Sequence, residues 1–479
     1  MTALLILFLT AIVVLFAGLN NRAWLQPLAL LGTLLALGAT GYDLLGPHLP
    51  GLGGQAGFGW GSQYASMFRF MPFAHAFSGV AILATALIIG LSGWGFRNLN
   101  STLGDHYALI LFSLCGALVM FSYTNLTMLF LGIEILSIPL YVLAGSRRND
   151  PAGNEAALKY FLMGAFATGI LLFGMTLVYG ATASFDLASI SRAIGNGDQM
   201  SGMLKVGILL MIVGLSFKVS AVPFHFWAPD VYQGSPNLVT AFMATVVKTA
   251  GFAAFYRLFA IAFPGAEAFW SVPVAIIAAL TMTVANVTAL FQQDFKRMMA
   301  YSSISHAGYL LLAILAIGTA GADNALLFYT LTYSLATICA FGAYIAVAEQ
   351  SGDGSFAAFN GLGKKQPLLA VVLTLSMLSL AGIPPLAGFF GKYFLFTAAF
   401  AKYPWLIVLA VINSAVSIYY YFKIIIAMYF VRSHAEDSTQ VGQTTESIVL
   451  PLGVRWAVAL GLLLIALLTL APGSVYGLI

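Results

Sequence analysis

Charge is what this sequence has least of. Lys, Arg, Asp and Glu make up 8% of its 479 residues, where soluble domains carry about 25%. A chain so poor in charge, and 61% hydrophobic, cannot present an ordinary water-facing surface, which excludes a soluble globular protein. The net charge of +4 is small and dispersed, so the clustered basic face of a nucleic-acid binder is missing and no nucleic acid is expected as a partner. Cysteine is also scarce. Cys115 and Cys339 lie far apart inside apolar runs; they read as small core residues, with no disulfide framework and no metal-ligand spacing. There is no phosphate-binding glycine loop, haem-attachment motif or cysteine cluster, so no cofactor or metal site is expected in this chain. The first apolar run, TALLILFLTAIVVLFAGL, lacks a basic leading segment and a small-residue cleavage site, and is expected to be a retained span.

What the sequence has instead is long apolar runs. A helix needs about 20 apolar residues to cross a bilayer, and on that ruler spans fall near 2–19, 24–45, 74–96, 105–122, 124–145, 155–180, 203–232, 236–263, 270–290, 299–318, 323–348, 367–400, 404–431 and 448–471. The expected fold is an all-α polytopic membrane protein with about fourteen transmembrane helices. The Gly- and Pro-rich loop 46–73 should be irregular, and Phe185, Ile190 and Ile194 suit a short helix lying along the surface. Arg22, Arg97, Arg147, Arg148, Lys296, Arg297, Lys364, Lys365 and Arg432 fall on one side of this topology. The other side has only Arg69, Arg192, Lys205, Arg257 and Lys402. The positive-inside rule then puts the first set in the cytoplasm and both termini on the outer face.

Two spans are broken. GLSFKVSAVPFHFWAPDVYQGSP at 214–236 carries Lys218 just before Pro223, and LSLAGIPPLAGFFGKYFLF at 378–396 carries Pro384 and Pro385 ahead of Lys392. Proline removes a backbone donor, and irregular backbone at membrane depth persists only where protein or a wet cavity satisfies it. Counting five spans per unit, each unit has its break in the fourth member. An odd number of spans inverts successive units, so two inverted five-helix repeats are expected, as in many transporters. The corresponding division is residues 1–104 (three N-terminal helices), 105–263 (first repeat), 270–431 (second repeat) and 448–479 (last helix).

Ionisable residues inside spans are costly and mark ion or proton paths. Lys218 lies deep in its span at the break, where the alternative is a lysine snorkelling to the surface. Glu134, in LFLGIEILSIPLYVL, is mid-span with Pro139 one turn later; each of the two is otherwise an unpaired buried charge, so an ion pair between them is expected. A buried lysine with a movable carboxylate beside it can bind and release a proton. Lys248 is deep in the eighth span, and Lys392 should sit in the first turns of its half-helix, whose positive end opposes the charged form. His225 and His306 suit a proton relay and equally suit packing. Lys159 pairs most simply with Glu155 one turn earlier. Arg257, Asp230, Asp294, Lys296 and Arg297 read as interfacial.

The segments LSFKVSAVPFHFWAPDVYQGSP, DFKRMMAYSSISHAGY and AGIPPLAGFFGKYFLF together resemble the antiporter-like membrane subunits of respiratory complex I, the proton-pumping NADH:quinone oxidoreductase. Those proteins are themselves similar to the membrane subunits of multisubunit cation/proton antiporters. The resemblance covers nearly the whole chain. Lysine at 392 is unlike the glutamate of the M type, and the chain ends without the long lateral helix of the L type, so the N type is the most similar. The resemblance implies a central hydrophilic axis on which Glu134 and Lys218 pair in the first half, Lys248 connects the halves and Lys392 serves the second. Lys159, His225 and His306 would lie along it. It further implies that NAD, FMN, iron–sulfur clusters and quinone belong to the rest of the complex. The implied partners are an M-type subunit, small subunits near the quinone end and lipid, in a bacterial-type inner membrane.

Overall fold

The computed structural model describes residues 1–19, 24–45, 66–95, 103–195, 200–352, 354–431 and 451–479. Most of the expected loop 46–73, and Arg22, Arg97 and Arg432, lie outside the described residues. Among those described, helix dominates and β-structure is limited to isolated bridges. The order is α1 (Thr2–Ala17), α2 (Leu25–Leu45), α3 (Pro72–Gly95), α4 (Leu103–Ser122), α5 (Leu126–Ala144), α6 (Pro151–Thr182), α7 (Leu187–Ile194), α8 (Gly202–Lys218), α9 (Trp227–Gly234) and α10 (Asn237–Phe242). A π-turn (Met243–Val247) leads into α11 (Lys248–Ile261), followed by α12 (Glu267–Leu290), α13 (Phe295–Leu315) and α14 (Ala322–Ser351). The chain ends with α15 (Leu362–Lys365), α16 (Pro367–Ala381), α17 (Ala387–Phe400), α18 (Pro404–Phe430) and α19 (Leu452–Leu470). Among the described residues, eleven helices are long and apolar enough to cross a membrane, while α1 and α16 are shorter apolar helices. The chain is an all-α polytopic membrane protein.

Several helices start where short polar side chains take up their free amides. Asn125 accepts from Met128 N at 2.9 Å, Asp186 from Ser189 N at 2.8 Å and Asp294 from Arg297 N at 2.8 Å; each such cap contributes about 1 kcal/mol. Two caps also tie the chain to a later loop. Asn125 bridges Asp186, and Asp294 bridges Ser355. Phe185 O accepts from Leu126 N, and Gly354 O from Phe295 N, each at 2.9 Å. The surface helix α7 buries Leu187, Ile190 and Ile194, while Phe185 stays exposed ahead of it.

Within a bilayer, apolar side chains gain little by leaving lipid, so helices associate through close packing and internal hydrogen bonds. Glycine supplies the closeness. A Cβ on Gly116 of α4 would lie 2.3 Å from Leu136 N of α5, and one on Gly174 of α6 would lie 2.9 Å from Gly207 O of α8. The segment Asn237–Ile261, together with α13 and α14, forms the buried centre. The outer faces of α6, α18 and α19 expose Phe166, Phe173, Trp405, Val408, Trp456 and Leu463, as apolar surroundings allow.

Candidate functional site

The first break follows from what happens to the last carbonyls of α8. Ser220 takes φ +61°, so the helix cannot continue, and Pro223 follows three residues later. Its loose ends are collected by neighbours: Trp227 Nε1 donates to Phe217 O at 3.1 Å, and Thr281 of α12 accepts from Val222 N at 3.0 Å. Lys218 is the last residue of α8. Its Nζ donates to Ser137 Oγ of α5 at 2.6 Å, and the Ser137 hydroxyl in turn donates to Ile133 O. Ser137 is one helical turn beyond Glu134, on the same face.

Here the structure departs from the sequence reading. No ion pair within 4.0 Å joins Glu134 to Lys218; Glu134 is only partly buried, and its charge reaches Lys218 through space. The serine occupies the short approach from α5, so the carboxylate stands back by a turn.

Lys248 comes directly after the π-turn Met243–Val247. The extra residue in a π-turn rotates the remainder of the helix about its axis, a device frequent at functional sites, and no proline or glycine in LVTAFMATVVK announces it. Lys248 Nζ donates to Ser303 O of α13 at 2.5 Å. Gly251, one turn further along α11, leaves room for the neighbouring chain: a Cβ there would lie 2.9 Å from Val219 and 3.8 Å from the Lys218 side chain. Lys218 and Lys248 are thereby brought to one face of α11.

At the second break Gly382 takes φ +80°, a conformation open to glycine, and closes α16 with bonds to Leu378 O and Ser379 O. Pro384–Pro385, a cis peptide, separates it from α17. Lys392 is in the second turn of α17, yet its Nζ turns back across the break to Ala381 O at 2.8 Å. The ammonium thus meets the negative C-terminal end of α16, not the positive end of its own half-helix, because the close α16–α17 turn puts that free carbonyl within reach. The face of the Tyr309 ring lies 4.9 Å from the same nitrogen.

Lys218, Lys248 and Lys392 are 8%, 3% and 5% exposed. Their hydrogen-bond acceptors are neutral, a hydroxyl and two carbonyls. His306, on the same helix as Ser303, is buried as well. It contacts Tyr329 OH through Nδ1 at 2.6 Å and Tyr421 OH through Nε2 at 3.2 Å; in the neutral ring one nitrogen donates and the other accepts. Tyr421 continues to Ser302, and Tyr333 donates to Ser303 Oγ at 2.9 Å. The tyrosines come from α14 and α18, and nothing local in the sequence marked them.

The remaining candidates separate from this row. His225 is buried against Phe226, and its Nδ1 has no hydrogen-bond partner among the described residues. Lys159 is partly exposed and pairs with Glu155 at 2.6 Å, as its helical spacing implies, and also with Asp230 at 2.7 Å. Asp230 takes Arg297 on its other oxygen at 2.9 Å, so one carboxylate ties α6, α9 and α13 together. Two residues read as interfacial are buried. Lys296 donates to Ser235 O at 2.5 Å, because α13 begins at Phe295, earlier than the apolar run suggests. Arg257 donates through Nε to Tyr123 O at 2.8 Å and covers the Tyr123 ring, so it is held by protein and not by the membrane surface.

This fold and this interior define a class: polytopic helical membrane proteins whose core carries lysines at helix interruptions. The chain belongs to the family described as NADH:quinone oxidoreductase/Mrp antiporter, TM, whose model matches residues 123–417. It is 49% identical over 327 residues to NADH-quinone oxidoreductase subunit N of Cytophaga hutchinsonii, covering 68% of this chain and 70% of that one. Subunit N of Trichlorobacter lovleyi is 45% identical over 386 residues, 79% of each chain. A chain of respiratory complex I from Thermus thermophilus superposes with a TM-score of 0.77 at 36% identity, covering 98% of this chain and 97% of that chain.

Proposed function

We propose that this chain is the N-type membrane subunit of a bacterial-type NADH-quinone oxidoreductase and moves protons along Glu134, Lys218, Lys248 and Lys392. The observation that carries the reading is the burial of three lysines, each with a neutral acceptor, in a chain 49% identical over 327 residues to a subunit N. A buried ammonium with neutral partners is sensitive to any nearby charge. When Glu134 moves toward Lys218, the ammonium is favoured; when it withdraws, the proton is released toward Lys248. His306 with its two tyrosines is the proposed relay from Lys248 to Lys392, and the coupled lysines titrate as a set. Quinone chemistry elsewhere in the complex supplies the displacement. NAD, FMN, iron–sulfur clusters and quinone are assigned to other subunits, and the neighbours are an M-type subunit, small subunits near the quinone end and lipid. Lys159 and His225 are secondary positions on this path.

Fourteen spans in two inverted repeats, 105–263 and 270–431, with 1–104 and 448–479 outside them and both termini on the outer face, complete the reading. The repeat is supported by matching contacts. Helix α4 packs on α5 and α11 as α12 packs on α13 and α18, and α6 packs on α8 as α14 does on α16. The second helix of each unit also starts at an Asx cap that bridges the loop after the third, Asn125 to Asp186 and Asp294 to Ser355.

Glu134→Ala and Lys218→Ala are each expected to lower proton pumping and quinone-linked turnover several-fold in reconstituted vesicles, while NADH oxidation by artificial acceptors stays intact. Normal pumping stoichiometry in both variants would refute the reading. The family also contains cation/proton antiporters, in which the same lysines would run on an ion gradient. Flavin and iron–sulfur absorbance co-purifying with the chain supports the oxidoreductase; their absence supports the antiporter.

A further inference from the structure

A second polar cluster lies beside the lysine row and is not used by it. Asn286 of α12 is fully buried; its Nδ2 donates to Met282 O at 2.8 Å, to Asn413 Oδ1 at 3.3 Å and, weakly, to Tyr309 OH at 3.4 Å. Its Oδ1 accepts from Tyr420 OH at 3.0 Å. Asn413 of α18 is anchored in turn, donating to Leu409 O at 3.0 Å. Ser305 and Ser414 flank the Tyr309 hydroxyl, though their own oxygens make no hydrogen bond of normal geometry. Two buried asparagines and two buried tyrosines are an expensive way to join helices in a bilayer, and the cluster ends on the Tyr309 ring, which faces Lys392 Nζ.

We propose that Tyr309 is a positioning residue for Lys392: its ring face stabilises the ammonium, and the Asn286–Asn413–Tyr420 bracket holds the ring in place. The ammonium has two stabilising neighbours, Ala381 O at 2.8 Å and the ring at 4.9 Å, and no carboxylate within 4.0 Å among the described residues. A cation over an aromatic face is favoured most where water is excluded, and both Lys392 and Tyr309 are buried. The contribution belongs to the π face and not to the hydroxyl, which serves only to fasten the ring. This inference rests on the proton-translocation reading, in which Lys392 must hold a proton for part of the cycle.

The test is the pH profile of proton pumping by the assembled, reconstituted complex. Tyr309→Met removes the π face at similar bulk, and the alkaline limb is expected to move about one pH unit toward acid, since a lysine less stabilised as ammonium gives up its proton at lower pH. Tyr309→Phe keeps the face but loses the hydroxyl that fastens it, and should recover most of the wild-type midpoint, shifting the limb no further than Asn286→Leu does. Asn286→Leu leaves the ring but frees it, and should shift the limb in the same direction by a smaller amount, which keeps the idea testable should Tyr309→Met not assemble. An unmoved alkaline limb in Tyr309→Met, or in Asn286→Leu where that alone assembles, overturns the proposal, as does Tyr309→Phe behaving like Tyr309→Met. Lys392→Met separates the two levels of inference: normal pumping in that variant removes the translocation reading itself, whereas lost pumping with an unmoved Tyr309→Met profile removes only the role of the ring.

Discussion

Lys248→Met is expected to lower proton pumping by the assembled complex about a hundredfold, the lower end of what a positioned proton-transfer group contributes. Methionine matches the length and apolar stem of lysine, so the buried site stays filled, and what disappears is the ammonium proposed to carry the proton. The effect should exceed that of Glu134→Ala, because Lys248 lies between the two breaks: its Nζ reaches Ser303 O on α13, and its helix α11 also receives the stem of Lys218. An electrostatic modulator can be lost with partial function, whereas a missing relay in the middle of a row cannot be bypassed without water. The measurement is proton uptake per NADH oxidised in vesicles, with assembly checked by NADH oxidation through an artificial acceptor. Pumping within twofold of wild type would remove Lys248 from the path.

Gly388→Val is expected to abolish assembly of the second broken span. A Cβ at this position would lie 1.9 Å from Ser379 O, and the obstacle is backbone, which cannot rotate aside as a side chain can. Overpacking of a well-fitted interior costs about 1–3 kcal/mol and more where nothing can yield. To admit the side chain, α16 and α17 must part, and the contact of Lys392 with Ala381 O is lost with them. Membranes carrying Gly388→Val should contain little intact complex by native gel, and Gly388→Ala should already reduce it. Wild-type amounts of complex in both variants would show that the two half-helices do not pass this closely.

The legibility of this protein was uneven for physical reasons. Hydropathy and proline are local signals, so the apolar spans and both interruptions could be placed from Pro223 and from Pro384 and Pro385. The π-turn at Met243–Val247 could not, because no helix-breaking residue marks it and its neighbours, α3 and α14, come from distant parts of the chain. Lys159 with Glu155 was readable from spacing along one helix. The Glu134–Lys218 pair was inferred from two unpaired charges, yet Ser137 takes the direct contact, a choice that depends on how α5 is rotated toward α8. Lys392 shows the same limit: its chain position implied the positive end of α17, and the fold of the break delivered it to the negative end of α16.

By itself the sequence determined the class of protein, the two interrupted spans, and the burial of Lys218, Lys248 and Lys392. Those depend on composition and on short-range backbone chemistry, which one segment carries alone. Only the tertiary structure decided what each ammonium touches: Ser137, Ser303 O, or Ala381 O with the Tyr309 ring. Partners drawn from helices up to 83 residues apart along the chain, as in Tyr309 and Lys392, are selected by helix rotation and close glycine packing. A charge held by neutral groups takes its properties from those few ångströms of geometry.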